Sequence, residues 1–347
     1  MNNQHKENAP IKFAVVGCGH IGKRHARTIG AHAEAELVAL CDTAPKDELN
    51  IEAFDVPFYS DLQALLAAEN EVDVVCICTP NGYHTEQCIQ VLQSSRHVVC
   101  EKPMGLRKAD CEQVIHKALT AGRQVFCVMQ NRYSPPAVWL KELMDGHILG
   151  ELHTMQLNCY WNRDDRYYLK NGQQHTWHGT IEQDGGPLFT QFSHYVDLMY
   201  WLFGDVKNIE ARFENFTHQH STEFEDTGIV SFNFVRGGMG CLNYSTAIWG
   251  QNMETSITVT GSKGSVRVGG QYMDKVEYCH IDGYTMPDLQ ASNPANDYGT
   301  YKGSTNNHGF IFENVIDVLK GHKTITTNAL EGMKVVEIIE RMYSGRT

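Results

Sequence analysis

The residues Lys12-Phe13-Ala14-Val15-Val16-Gly17-Cys18-Gly19-His20-Ile21-Gly22 decide the fold. The apolar run Phe13 to Val16 reads as a buried parallel strand and delivers the chain into three glycines at the G-x-G-x-x-G spacing. Gly17 permits a tight turn, Gly19 lacks the Cβ that would obstruct a pyrophosphate, and Gly22 lets the following helix lie close to the sheet. With His20 and Ile21 completing the turn, free N–H groups and the positive end of a helix dipole face an anion. Alone the pattern is weak, because Gly-rich turns produce it by chance. Its context adds weight: Glu36 to Cys41 forms a second apolar strand ending at Asp42, where a ribose-binding carboxylate is expected. Asp42 also suits a plain strand-end turn. Thr43 follows it, and not an Arg that could meet a 2′-phosphate, so NAD is favoured over NADP.

With 347 residues, 42% of them hydrophobic and 20% charged, the chain has room for two domains and a substantial core. A net charge of −12 argues against a nucleic-acid partner, which needs a basic face. The first ten residues are polar, with no apolar core of a signal peptide, and no later run approaches membrane length. The expectation is a cytoplasmic protein without membrane association. Eleven cysteines are scattered, several inside strand-like runs (Cys76, Cys78, Cys100, Cys127), and no C-x-x-C pair occurs, so buried free thiols are expected. The seventeen histidines include no H-E-x-x-H or similar ligand set, and no metal is predicted.

Along the first half, helical and strand-like stretches alternate, which predicts a doubly wound parallel sheet of Rossmann type. A helix is expected from Pro45 to Phe54, a short strand at Pro57 to Tyr59, and a helix after Asp61 as its cap. Val72 to Thr79 is the next buried strand and ends in Thr79-Pro80-Asn81, at the edge where open α/β sheets bind ligands. Pro80 also serves as a plain strand terminator, and His84 as a residue opening the helix His84 to Ser94. The strand His97 to Cys100 runs into Glu101-Lys102-Pro103. Read alone, Glu101 and Lys102 suit a solvated ion pair equally well. A helix from Lys108 to Ala121 and a strand from Gln124 to Met129 lead to Gln130-Asn131-Arg132-Tyr133. Residues 1–131 thus form the expected cofactor domain, with Thr79, Pro80, Asn81, His84, Glu101, Lys102 and Gln130 as further cofactor-binding candidates.

Residues 132–347 have a different texture. Leu152 to Trp161 alternates apolar and polar residues, as does a strand with one open face. Six more strand candidates, from Val206 to His280, predict an α+β domain with a large, open-faced, mainly antiparallel or mixed sheet whose bare face suits an oligomer contact. One helix, Leu188 to Leu202, follows Asp184-Gly185-Gly186 and sets Thr190, His194 and Asp197 on one face. On its own, His194 suits a satisfied core histidine. The polar stretch from Gly283 to Gly309 is longer than ordinary loops. Helices from Phe310 to Lys320 and from Ala329 to Tyr343 close the chain.

Gly17-x-Gly19-x-x-Gly22, Thr79-Pro80-Asn81, Glu101-Lys102-Pro103 and Gly185-Gly186 through His194-x-x-Asp197 together resemble the Gfo/Idh/MocA oxidoreductase family, over nearly the whole chain. Within it the chain is similar to the UDP-N-acetylglucosaminuronate 3-dehydrogenases of bacterial surface-polysaccharide biosynthesis. Segments such as Asn158 to Arg163, Trp177 to Thr180, Glu225 to Gly228 and Ser265 to Gly270 carry that likeness. The resemblance implies NAD as cofactor, Lys102 and His194 as catalytic residues, a nucleotide-sugar substrate oxidised at C3, and a homotetramer formed through the open sheets. One position departs: the family generally places Asp, and the sugar-nucleotide subgroup Asn, four residues before the His, where this chain has Thr190. A hydroxyl cannot act as a carboxylate base. Substrate-binding candidates are Lys102, Arg132, Tyr133, Arg163, Arg166, Tyr168, Thr190, Gln191 and His194. Guanidinium groups suit the pyrophosphate and carboxylate of a UDP-uronate, although Arg163 and Arg166 also suit pairing with Asp164 and Asp165. Competing readings are another sugar or inositol dehydrogenase or reductase of the family, and a dinucleotide-binding regulator without turnover.

Overall fold

The computed structural model describes residues 9–170, 172–174, 177–297, 299 and 301–346. Residues 1–8, on which part of the expectation of no signal peptide rests, and Tyr298 and Thr300 of the long polar stretch lie outside the described residues. The chain divides into two compact units, residues 1–129 with 308–336, and residues 130–307 with 337–347.

In the first unit, β1 (Ile11–Val16) leads through the glycine turn to α1 (His20–Gly30), then β2 (Ala35–Cys41), β3 (Phe58–Tyr59) and α2 (Leu62–Ala68). β4 (Val74–Ile77), α3 (His84–Gln93), β5 (His97–Cys100), α4 (Lys108–Ala121) and β6 (Val125–Cys127) follow. The sheet is parallel throughout, in the order β3-β2-β1-β4-β5-β6. Chain direction across the sheet reverses between β1 and β4, and ligands of such sheets bind beyond the strand ends at that switch. α1 buries Gly22, His25, Ala26 and Ile29, the i, i+3, i+4, i+7 stripe of a helix lying on a sheet. Asp61 caps α2 as expected, its carboxylate accepting from Ala64 N–H at 2.9 Å. The helix expected over Pro45 to Phe54 is instead a 3-10 turn at Lys46–Glu48, and Asn50 just beyond it takes a left-handed φ of 51° that no helix interior tolerates.

The second unit opens with α5 (Pro135–Asp145), β7 (Leu152–Tyr160), α6 (Asp165–Tyr168), the small pair β8 (Leu169–Lys170) and β9 (Gln173–Gln174), α7 (Pro187–Thr190) and α8 (Ser193–Phe203). β10 (Val206–Glu214), β11 (Thr227–Phe234), β12 (Met239–Ser245), β13 (Glu254–Gly261), β14 (Gly264–Gly269) and β15 (Lys275–Ile281) complete the large sheet. Its order is β10-β11-β12-β7-β13-β14-β15, antiparallel except for the parallel pair β12 and β7. The registers place Val230, Leu242, Leu157, Ile257 and Val268 in one buried row. The neighbouring row, Ser231, Cys241, Gln156, Thr258, Arg267 and Tyr278, faces the other way. That second face is open, with Ile229, Met239 and Tyr278 each more than half exposed. On the buried face the Trp161 ring meets Phe192 and Tyr195 of the α8 region at 5.5 and 5.8 Å between centroids. Inside the long polar stretch the chain makes a small hairpin, β16 (Ala295–Asp297) with β17 (Lys302–Thr305).

The chain then returns to the first unit with α9 (His308–Leu319), and α10 (Ala329–Ser344) follows. The expected division at residue 131 therefore misses a return segment. Phe312 of α9 packs edge-on against Phe13 of β1 at 5.7 Å, and Thr327 O accepts from Cys127 N–H at 2.9 Å.

Candidate active site

Each glycine of the turn has a distinct surrounding. A Cβ on Gly17, whose φ is +90°, would lie 2.5 Å from Cys78 O, and one on Gly22 would lie 1.7 Å from Gly17 O. Gly19, at the N-cap of α1, has nothing within 4 Å of the place a Cβ would occupy. The first and third glycines thus serve close packing, and the second leaves space above the helix terminus where a pyrophosphate fits. Asp42 lies beside this turn: its carboxylate accepts from Cys18 N–H at 2.6 Å and from Ala44 N–H at 2.9 Å. Asp42 and the glycine turn are in this way fixed to one another.

Beyond β4, Thr79 donates to Gln87 Oε1 at 2.6 Å, and Asn81 is buried in the 3-10 turn opening α3. His84 is fully buried, with Nε2 2.8 Å from Thr79 O and Nδ1 2.7 Å from Pro103 O. Burial pulls its pKa down, while the two carbonyls and Glu101 act the other way. The ring thus lies between the loop after β4 and the loop after β5, and as a neutral imidazole it donates to one of the two carbonyls. Glu101 and Lys102 follow β5. Glu101 is not the solvated ion pair that the sequence also allowed, since its carboxylate is 6% exposed as a residue and bonded to His25 Nε2 at 2.8 Å. Burial alone would raise its pKa, but the hydrogen bond from His25 and the nearby Lys102 ammonium outweigh it and hold the carboxyl well below the usual carboxylate range. Lys102 is half-buried. His25, Glu101 and His308 place three ligand-capable atoms within 4.8 Å of one another, a grouping with no local signature in the sequence.

The second unit holds the other candidates. Gln130 is buried, donates to Ser304 Oγ at 3.2 Å, and keeps Oε1 without a partner among the described residues. The expected single helix from Leu188 to Leu202 is broken at Gln191 and Phe192 into α7 and α8. His194 lies in the first turn of α8 and is 5% exposed. Gln191, at the break, is 4% exposed, and neither atom of its amide has a partner among the described residues. Thr190 donates its single hydroxyl proton to Asp184, whose backbone carbonyl lies at 2.9 Å and whose carboxylate also faces it. Toward a ligand that hydroxyl is therefore an acceptor. Asp184, fully buried and also accepting from Gly179 N–H at 2.9 Å, is a carboxylate that the sequence reading passed over, because its link to Thr190 spans a turn without periodicity.

Each of the three candidate arginines is met by acceptors of the protein. Arg132 makes a two-pronged bond to Asp197, Nε to Oδ2 at 2.9 Å and Nη2 to Oδ1 at 2.6 Å, with both side chains about fully buried. Arg163 is buried too, donating to Asn162 O at 2.6 Å, Asn252 Oδ1 at 3.2 Å and Lys302 O at 3.1 Å, beneath the rings of Trp161 and Tyr301. Arg166 is exposed and pairs with Asp164, the surface pairing that the sequence also allowed. Tyr168 is fully buried and Tyr133 half-buried.

A phosphate-ready glycine turn at the switch point of a parallel sheet, with a carboxylate bonded beside it, defines a dinucleotide-dependent oxidoreductase. Residues 11–129 match the model described as oxidoreductase family, NAD-binding Rossmann fold, and residues 138–267 match the GFO/IDH/MocA C-terminal domain. The chain belongs to the Gfo/Idh/MocA oxidoreductase family, and NAD is its cofactor. It is similar to the WlbA dehydrogenase from Bordetella pertussis, solved in complex with NADH and UDP-GlcNAcA, with 32% identity over 97% of this chain and 96% of that one and a TM-score of 0.84. The WlbA dehydrogenase from Chromobacterium violaceum, solved with the same two ligands, is 31% identical over 97% of this chain and 93% of that one, with a TM-score of 0.85. Among curated relatives, D-glucoside 3-dehydrogenase of Escherichia coli is 23% identical over 97% of this chain and 95% of its own length. No helix among the described residues is long and apolar enough to cross a membrane.

Proposed function

We propose that the protein oxidises a secondary alcohol of a nucleotide sugar with NAD, namely C3 of UDP-N-acetylglucosaminuronate, to the 3-keto sugar. The observation that carries this reading is the likeness to two WlbA dehydrogenases at 31 and 32% identity across 97% of the chain. NAD supplies the hydride acceptor. His194 takes the hydroxyl proton as the carbinol hydride departs, and the Lys102 ammonium steadies the charge that develops on the oxygen. Gln191 favours the same reading, since a buried amide whose two polar atoms have no partner among the described residues offers one donor and one acceptor to a polar ligand. The carboxylate of a uronate would meet neutral donors such as this amide, because Arg132, Arg163 and Arg166 are already engaged. We place the protein in polysaccharide biosynthesis, as a cytoplasmic homotetramer joined through the open sheet face bearing Ile229, Met239 and Tyr278.

The test follows NADH absorbance while the purified protein is offered UDP-GlcNAc and its uronate in parallel. Oxidation of the uronate is expected, with Lys102→Met and His194→Ala each lowering turnover on the order of a hundred-fold. Near-normal turnover in either variant removes that residue from the chemistry. Equal efficiency on both sugars removes the uronate from the reading and leaves the C3 oxidation standing.

A further inference from the structure

We propose that His25 is a positioning residue of the cofactor site: its imidazole ties α1 to the ends of β4 and β5 and holds the Glu101 carboxylate in place immediately before Lys102. The proposal rests on the catalytic role given to Lys102 above. His25 projects from the buried stripe of α1, three residues after Gly22, and has no exposed surface. Its Nε2 lies 2.8 Å from Glu101 Oε1 and its Nδ1 lies 3.3 Å from Cys78 Sγ. Burial pushes the Cys78 thiol well above its ordinary pKa, so the sulfur keeps its proton and can donate. Nδ1 then accepts from the thiol, and a single proton on Nε2 serves Glu101; one imidazole tautomer satisfies both contacts. The other carboxylate oxygen, Oε2, accepts from the Lys102 N–H at 3.2 Å. Ring contacts hold the imidazole edge-on to Phe312 at 5.1 Å and to His308 at 5.7 Å. His308, whose own pKa burial lowers to about 3, lies 3.7 Å from Glu101 as a neutral ring.

His25 and the two groups that it meets, Cys78 and Glu101, belong to three segments with one task. α1 carries the glycine turn, Cys78 precedes Thr79-Pro80-Asn81, and Glu101 precedes Lys102. In a sheet of this kind these are the strand ends along which the dinucleotide lies. Each loop alone could shift, but one buried imidazole fastens all three, and displacement of a catalytic group by about 1 Å costs on the order of a hundred-fold in rate. A metal ion held by His25, Glu101 and His308 is the competing use of the same atoms. The 2.8 Å contact between His25 and Glu101 favours the hydrogen bond.

The test uses the full chain with NAD and UDP-N-acetylglucosaminuronate. His25→Leu should lower kcat by about ten-fold or more while the KM for the sugar changes little. It should also introduce a new loss of rate toward low pH, as a buried Glu101 without its donor takes up a proton nearer neutrality. His25→Gln, whose amide can still donate to Glu101, should restore the original pH profile. A Leu variant with unchanged kcat and profile overturns the proposal, as does a Gln variant no better than Leu. Independent of any variant's folding, nitrogen NMR on histidine-labelled wild-type protein should show His25 with its proton on Nε2, and a proton on Nδ1 overturns the assignment. Stoichiometric zinc in the purified protein would replace it with the metal reading. Lys102→Met assayed alongside separates the two ideas, because normal turnover there removes the catalytic premise whatever His25 does.

Discussion

Arg132 and Asp197 bring opposite charges into a place where water barely reaches, so the pair matters as a pair. Breaking one side of such a bridge leaves an uncompensated buried charge, at a cost of about 3–5 kcal/mol, whereas replacing both by apolar groups is often near neutral. Asp197 sits one turn after His194 on α8, so this bridge also anchors the helix carrying His194 to the 3-10 turn Gln130–Tyr133. Arg132→Met should therefore lower the denaturation midpoint strongly, and Arg132→Met with Asp197→Leu should recover most of the loss. If Arg132→Met instead unfolds normally and only weakens sugar binding, the arginine belongs to the substrate after all. The exposed Arg166 offers the contrast: half-immersed in solvent beside Asp164, it belongs to the class of pairs worth little to stability.

At the scale of the element, the glycine turn separates packing from binding. Gly22→Ala sets a methyl against Gly17 O, so α1 must lift from the sheet, and both unfolding midpoint and NAD affinity should fall. Gly19→Ala meets no protein atom within 4 Å and should lower the unfolding free energy of the cofactor-free protein by no more than about 1 kcal/mol, the cost of Ala at an N-cap, while costing NAD affinity ten-fold or more. Equal loss of stability in both variants would contradict this division. That turn was legible because spacing along a few residues dictates it, and the strands of the large sheet were legible for the same reason: Leu152–Tyr160 alternates as its one buried face requires. Other elements were not. The run from Leu188 to Leu202 is apolar enough for one helix, and nothing local announces the break at Gln191 and Phe192 that orients the amide. The link from Asp184 to Thr190, and those from His25 to Cys78 and Glu101, join residues brought together only by the finished fold. Arg132 read as a ligand-binding cation because its partner lies 65 residues further on.

Across the whole molecule, histidines kept neutral by burial set the acid limit. His97 and His308 have folded pKa values of about 4 and about 3, lowered from 6.5 chiefly by burial, and that of His84 is lowered as well. The unfolded chain binds these protons first as pH falls, so the stability they contribute is full above about pH 6.5 and is lost as pH drops toward those folded values. Urea unfolding at about pH 5 should show stability lower than at neutrality by roughly 2 kcal/mol for each ring that stays neutral, and an unchanged midpoint would mean that these rings are already charged in the native state. The sites of this titration are split by the chain's own path, since His308 arrives with α9, after residues 130–307 have formed the second unit. That detour has a consequence for synthesis. A chain emerging from the ribosome in order cannot seal the cofactor fold when β6 appears, because Phe13 still lacks Phe312 and Cys127 still lacks the Thr327 carbonyl. The nascent first sheet must wait, partly uncovered, through the making of the other unit, and is exposed meanwhile to chaperones, proteases and its neighbours.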